Sequence, residues 1–168
     1  PPALEPASEE ATSSSTGLSH IVISEFQIGS DADAKYEFVE LWNPTDEAVD
    51  LTGWDLKKKT SGGNLQNLAT SIAGSIPAKS FFLIASQEYN GSVAPDTRYT
   101  QASNTLAGSN NTIVLMNAGD ETIDEVFYSE LAEDTSYERK AESGDEYGGH
   151  GVDTAGDITD FVLRSAPQ

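Results

Sequence analysis

The sequence lacks cysteine, has two histidines, and has no apolar run near the roughly 20 residues that a membrane-spanning helix needs. The absence of cysteine excludes disulfides and thiolate metal sites. Neither His20 nor His150 has a second histidine at the spacing of a zinc site, and no phosphate-binding loop or Gly-x-Ser-x-Gly motif is present. We therefore find no catalytic constellation and predict that the protein is not an enzyme.

Basic residues are scarce, since 9 lysines and arginines oppose 28 aspartates and glutamates, for a formal net charge of −19. Nucleic-acid affinity comes largely from lysine and arginine at phosphates, so we predict no nucleic-acid binding at physiological salt. The basic cluster over residues 57–59 is expected to offset neighbouring carboxylates, with Lys57 and Lys59 on a solvated face. The acidity favours solubility of an exported protein and would attract divalent cations or basic partners.

Residues 1–17, PPALEPASEEATSSSTG, are mainly Pro, Glu, Ser, Thr and Ala. The segment has no aromatic or β-branched apolar residue, so it cannot bury enough surface to offset its ordering entropy. We expect a disordered, acidic and Ser-rich linker over residues 1–17. Residues 18–168 then suit one folded domain.

The folded part has a β pattern, because no segment shows sustained 3.6-residue periodicity. Short apolar or alternating runs predict strands over residues 19–28, 35–42, 48–51, 54–58, 80–86, 111–117, 122–128 and 136–140. The turns at 29–34 and 118–121 predict that the strands flanking each of them pair as hairpins. We expect long loops at 59–79 and 87–110 and a polar surface excursion at 141–157. Such short strands between turns are typical of a sandwich or small barrel.

The second predicted strand carries two glutamates on opposite faces. Alternation places Glu37 on one face with Leu41, and Glu40 on the other face with Phe38 and Trp42. A carboxylate among apolar side chains needs hydrogen-bond partners. We therefore expect both glutamates to have architectural roles near the sheet margins, with hydrogen bonds from loop amides, rather than catalytic ones.

The turn before this strand brings carboxylates close together in sequence: Asp31, Asp33 and Glu37. Their repulsion would be relieved by a hard cation with oxygen ligands, such as Ca²⁺. The segment departs from an EF-hand loop, because Lys35 occupies a ligand position and the required glycine is missing. Lys35 also neutralises part of the charge. We predict no tight cofactor site, and weak Ca²⁺ binding at these three residues is the alternative. A second acidic turn offers further candidate ligands in Asp153, Asp157 and Asp160.

Six motifs follow one another along the chain: HIVISEF, YEFVELWNPTDEAVDLTGW, SIPAKSFFLIAS, NTIVLMNAGDETIDEVFY, SYERK and DFVL. In this order they resemble the lamin tail domain family, and its bacterial members more closely than the nuclear lamins. The resemblance spans residues 18–168. It implies an all-β fold, an immunoglobulin-like antiparallel β-sandwich, with Trp54 in the core and the DFVL motif at the end of the domain.

The resemblance and the lack of catalytic motifs favour a non-catalytic interaction or targeting module of an exported or cell-surface protein, located outside the cell or on its surface. Its partner would be an unknown protein or surface polymer, and we expect the isolated domain to be a monomer. One alternative is a Ca²⁺-stabilised adhesive or spacer domain, which needs carboxylates clustered in space. Another, implied by the family alone, is an accessory domain beside a secreted nuclease or phosphoesterase. A hydrolase with an unrecognised site would need His20 or His150 beside a serine or aspartate.

Overall fold

The computed structural model describes residues 18–30, 33–141, 151–154 and 156–164. These residues form one short 3-10 turn, Ile158–Asp160, and twelve strands: β1 Val22–Ile28, β2 Glu37–Trp42, β3 Val49–Asp50, β4 Trp54–Lys59, β5 Leu65–Ile72, β6 Ser75–Ile76, β7 Phe81–Ala85, β8 Thr97–Arg98, β9 Ser109–Met116, β10 Thr122–Glu130, β11 Ser136–Arg139 and β12 Phe161–Arg164. The expected linker over residues 1–17, Asp31, His150 and most of the expected excursion at 141–157 lie outside the described residues. No helix in the described ranges is long and apolar enough to span a membrane.

The strands form a two-sheet sandwich with a small third sheet. The larger sheet has the order β12-β11-β1-β2-β7-β8, and the smaller has the order β10-β9-β4-β5. All pairs in these sheets are antiparallel except β7 with β8. β3 and β6 pair separately at the side. The predicted immunoglobulin-like β-sandwich is confirmed, and so are the two predicted hairpins, β1 with β2 and β9 with β10.

The inner faces of the two sheets bury one apolar core. The six-stranded sheet contributes Phe26, whose ring lies 5.9 Å from that of Tyr128, 5.6 Å from that of Tyr137 and 5.4 Å from that of Phe161. Such aromatic pairs add roughly 0.5–1.5 kcal/mol each beyond their burial. The expectation for Trp54 needs correction, because this residue is only partly buried and packs against the margin of the core.

The expected long loop over residues 59–79 is wrong, because it contains β5 and β6. β5 is an edge strand, and only Leu68, Ala69 and Ile72 of its eight residues are buried. Register shifts against β4 interrupt the alternation further. The segment therefore lacks the regular apolar pattern that identified the central strands. Residues 87–110 are a loop as expected, apart from β8 and the first two residues of β9.

Asn43 directly follows β2 and is completely buried. Its Nδ2 donates to the carbonyls of Glu47 at 2.8 Å, Ile76 at 3.0 Å and Pro77 at 3.0 Å. Its Oδ1 accepts from the amide and the hydroxyl of Thr45. One side chain thus joins the end of β2, the turn after it and β6.

We expect Asn43→Asp to lower the free energy of unfolding by about 1–3 kcal/mol, because a carboxylate cannot donate and leaves buried carbonyls unpaired. Urea denaturation measures the loss. Thr45→Val is the matched control, since it removes one hydroxyl and keeps every donor of Asn43. A loss for Asn43→Asp no larger than for this control would contradict the prediction.

Candidate functional site

The structure describes two of the three carboxylates that the sequence offers as candidate Ca²⁺ ligands, and it places one in solvent and the other in the interior. Asp33 is exposed, and its Oδ1 accepts a hydrogen bond from the amide of Lys35 at 2.9 Å. Glu37 is buried, and its Oε1 accepts from the loop amide of Leu106 at 2.7 Å. Within the described ranges, no three His, Cys, Asp or Glu side chains are placed to hold a metal ion. Ca²⁺ binding that includes Asp31, which is not described, stays a prediction.

Two carboxylates of the second acidic turn accept hydrogen bonds from nearby residues, and the third pairs with an arginine. Asp157 caps the 3-10 turn and accepts from the hydroxyl and the amide of Thr159, which together lower the pKa of Asp157. Asp160 is buried and accepts from the amide and hydroxyl of Thr154 at 2.8 Å and 2.6 Å. Asp153 lies 3.5 Å from the guanidinium of Arg139. The carboxylates of this turn therefore stabilise its own conformation.

His20, the histidine that the structure describes, lies beside an aspartate. Its Nε2 lies 3.5 Å from Oδ2 of Asp153, whose other oxygen faces Arg139. In a Ser-His-Asp triad the imidazole lies between a carboxylate and the nucleophile, whereas the contact of His20 within the described residues is with a carboxylate that also faces Arg139. This geometry is that of a structural network.

Each of the three consecutive lysines of β4 has a hydrogen-bond or ion-pair partner close by. Lys57 lies 3.1 Å from Asp55, and Lys59 lies 2.9 Å from Glu125 on β10. Lys58 is buried and donates to a backbone carbonyl in the loop before β9. The prediction that these lysines offset nearby carboxylates is confirmed for Lys57 and Lys59. Absence of nucleic-acid binding stays a prediction.

Glu40 lies on the outer face of the six-stranded sheet, in the middle of β2. Its Oε1 accepts from the hydroxyl of Ser24 at 2.7 Å, and Glu25 is its cross-strand neighbour. Burial raises the pKa of Glu40 to about 7. The expected loop amide is confirmed for Glu37, whereas the expected marginal position of Glu40 is wrong, because β1 and β7 flank it.

A groove with a cavity volume of about 610 Å³ lies beside this outer face. It is bounded by Ser30, Asp33 and Tyr36, which lie between β1 and β2, and by the segment after β7, which returns across the sheet. Its lining includes Gln27, Asp33, Tyr36, Glu88, Tyr89, Gly91, Val93 and Asp134. This volume is within the roughly 300–1,000 Å³ that is usual for ligand pockets.

Two tyrosines form one wall of the groove. The rings of Tyr36 and Tyr89 are 5.4 Å apart and tilted by 44°. Tyr89 also meets Phe38 edge-on at 5.9 Å, over a patch that Phe38 shares with Leu83 and Ala85. Burial raises the pKa of Tyr89, so its phenol stays protonated at neutral pH. Alternation along β2 places Tyr36 and Phe38 on the same side, which is why the two tyrosines can meet.

The segment that presents Tyr89 is fixed at its base. Nη1 of Arg98, on β8, donates to the carbonyls of Ser86 at 2.6 Å, Gln87 at 3.2 Å and Tyr89 at 3.2 Å. Position 91 also shapes the groove, since a β-carbon at Gly91 would overlap the hydroxyl of Tyr89. Glycine at position 91 therefore leaves room for the side chain of Tyr89 in the wall of the groove.

Comparison with protein families matches residues 14–130 to the Lamin Tail Domain. The chain belongs to the lamin tail domain family. No curated protein matches it. The matched residues include β1 to β10 and every groove residue named above except Asp134. Lamin tail domains are non-enzymatic immunoglobulin-like domains, and the family suggests a protein-interaction role.

Sequence reasoning alone did not locate the groove in this lamin tail domain. Alternation groups Tyr36 with Phe38 and Glu40 without saying which face is the outer one, and Tyr89 lies in a segment for which the sequence predicted only a loop. The two residues meet because Phe38 pairs with Ala85 when β2 and β7 align, a contact that no local spacing encodes. The available signal was Asn90 followed by Gly91, which predicts a tight turn immediately after a tyrosine.

Proposed function

We propose that this lamin tail domain is a non-catalytic module of an exported or cell-surface protein of the bacterial type, and that it binds a partner protein in the groove beside Tyr36 and Tyr89. The observation behind this proposal is the groove itself, with two tyrosines held on a rigid sheet. Tyrosine is enriched in protein interfaces because its large ring loses little conformational entropy and its hydroxyl can bond. The net charge of −19 and the absence of cysteine agree with export without requiring it.

A photo-crosslinking residue in the groove tests this function. Val93 lines the groove and is 56% exposed, so p-benzoylphenylalanine can replace it without disturbing the core. Leu65 is the matched control, because it is 49% exposed and lies on the edge strand of the other sheet. We expect a discrete crosslinked product from position 93 in the source cells, none of the same mass from position 65, and loss of the product with Tyr89→Ala. The same products from both positions, or no effect of Tyr89→Ala, would contradict the proposed function.

The accessory-domain alternative uses the same groove. Beside a secreted nuclease or phosphoesterase, the groove would contact that enzyme, and the crosslink would form within one polypeptide if the two are fused. The mass of the product therefore separates this role from binding of an independent partner.

The second candidate function is a Ca²⁺-stabilised adhesive or spacer domain, and the exposed carboxylate of Asp33 in an acidic turn favours it. We expect the melting temperature in excess Ca²⁺ and in chelator to differ by no more than about 2–4 °C, the shift produced by roughly 1 kcal/mol at this size. Differential scanning calorimetry measures the difference. A drop of more than about 10 °C in chelator would make the metal structural and would favour the adhesive or spacer domain.

A further inference from the structure

We propose that the groove binds an arginine side chain from a basic segment of the partner protein. This inference rests on the proposed function and adds the chemistry that the groove recognises. The groove offers hydrogen-bond acceptors, ring faces and carboxylates, so the matching ligand is a cation rich in donors. A guanidinium has five N–H donors in one plane and no acceptor, and it stacks on aromatic rings.

The floor of the groove supplies a neutral acceptor. Gln27 is only 4% exposed, and its Nε2 donates to the carbonyls of Gly29 at 3.1 Å and Tyr36 at 3.2 Å. These two bonds fix the carboxamide so that Oε1 is the remaining acceptor. Across the part of the chain that the structure describes, this oxygen takes no hydrogen bond. An acceptor on an almost completely buried side chain that lines the groove is suited to a ligand N–H.

The wall supplies aromatic faces. Each tyrosine ring has negative potential over its face, and a cation within about 6 Å of the ring centre is attracted to it. The rings of Tyr36 and Tyr89 are tilted rather than parallel, so a planar group can stack on one of them while its edge remains free to donate. The fixed backbone of the Tyr89 segment keeps this wall in place before a ligand arrives, which reduces the entropic cost of binding.

The charges around the groove favour a cation. Asp33, Glu88 and Asp134 line it. Burial is the main cause of the raised pKa of Tyr89; Glu25 and Glu40 add to the rise, and Arg98 opposes it. Lys35 stands 3.9 Å from Glu88, in a long and exposed pair that solvent screens. The charge of Arg98 is directed at the backbone carbonyls beneath the segment.

Two short peptides test the inference with the complete 168-residue chain. One is an acetylated and amidated pentapeptide with a central arginine between glycines, and the other has neutral citrulline in place of the arginine. Citrulline keeps the length and the planar end group of arginine and removes its charge. We expect the arginine peptide to shift the amide NMR signals of residues 27, 36 and 88–93 and to bind about tenfold more tightly than the citrulline peptide. Its affinity should fall as the screening length shrinks from about 30 Å at 0.01 M salt to about 3 Å at 1 M.

Substitutions test the carboxylate and the tyrosine wall of the groove separately. Glu88→Gln should weaken binding of the arginine peptide several-fold, whereas Glu125→Gln, which removes one charge from the other sheet, should leave it unchanged. Tyr89→Leu should abolish the saturable shifts. Gly91→Ala is a second test of the tyrosine wall, because it displaces Tyr89 without removing a ring or a charge. Circular dichroism melts check that each variant is folded.

The inference is overturned if the citrulline peptide or a matched lysine peptide binds as tightly as the arginine peptide, or if the arginine peptide shifts no groove signal. Each of these outcomes can coexist with a Tyr89-dependent crosslink from position 93. In that case the groove would still be the partner site, and only the assignment to arginine would fail. Loss of the crosslink alone would instead remove the proposed function.

Discussion

Arg139→Met is expected to lower the free energy of unfolding by about 3–5 kcal/mol, the cost of removing one partner from a buried ion pair. Arg139 is 1% exposed and lies at the end of β11. Its Nη2 donates to Oδ2 of Asp124 at 2.6 Å, and Nε donates to the carbonyl of Ile23 at 2.7 Å. Burial raises the pKa of Asp124, and the guanidinium opposes that rise. Methionine would fill much of the space and leave the buried carboxylate without its cation.

The same guanidinium also connects segments that are distant in the sequence. It lies 3.5 Å from Asp153, 4.0 Å from Asp160 and 4.8 Å from the centre of the Phe161 ring. Asp124 is on β10 of the four-stranded sheet, so the pair joins the two sheets. The loss should therefore affect global unfolding rather than a local segment.

Chemical denaturation of Arg139→Met and of Arg164→Met measures the effect. Arg164 is the matched control, since it pairs with Glu138 on the neighbouring strand but is largely exposed, and such pairs contribute about 0–1 kcal/mol. The double variant Arg139→Met with Asp124→Asn should recover part of the loss, because it removes the unpaired charge. Equal losses at positions 139 and 164 would show that the buried network does not stabilise the fold.

The second large effect is a fall in stability as the pH rises, caused by Glu37. Burial raises the pKa of Glu37 from 4.5 to about 9, and the amide of Leu106 opposes that rise. The folded state therefore keeps the proton, whereas the unfolded chain releases it near pH 4.5. The stabilisation is complete below about pH 4.5 and is lost progressively up to about pH 9, by at most roughly 1.4 kcal/mol per pH unit.

Glu37→Gln should flatten this dependence and stabilise the protein at pH 8, because glutamine is neutral and keeps an acceptor for Leu106. Glu40 has a raised pKa of about 7 and contributes a fall of the same sign at lower pH, so the interval from pH 7 to 9 reports mainly Glu37. Thermal melts of the wild type, Glu37→Gln and Glu40→Gln across that interval measure the effect. If Glu37→Gln retained the full slope of the wild type, Glu37 could not be its source.

Alternation predicted which residues share a face with Glu37 but not how deeply Glu37 is buried. The period of two placed Glu37 with Leu41 on one face and Glu40 on the other, and both placements are correct. The depth depends on the second sheet and on the Leu106 loop, which come from distant parts of the chain. A buried ionisable side chain of this kind is rare, so the local pattern favoured a position near the sheet margin.

For Arg139, too, the sequence predicted the strand but not the burial of the side chain. The sequence indicated a strand at SYERK, and the structure confirms it as β11. An arginine in a short terminal strand is usually exposed, and nothing in the neighbouring residues predicts otherwise. Its burial follows from Asp124 on the opposite sheet and from Asp153 and Asp160 in the last turn. Edge strand β5 was missed for the opposite reason, since its polar composition resembles that of a loop.

The placement of the β4 lysines has a consequence for how the domain meets other molecules. Lys57 and Lys59 lie on the outer face of the four-stranded sheet, and the groove lies by the outer face of the other sheet. Because Asp55 and Glu125 pair with these lysines, neither lysine gives the far side of the domain a free positive charge. With a net charge of −19, the domain therefore attracts a positively charged partner over long range, whichever side faces that partner. The association rate, more than the lifetime of the complex, should decrease when salt is added.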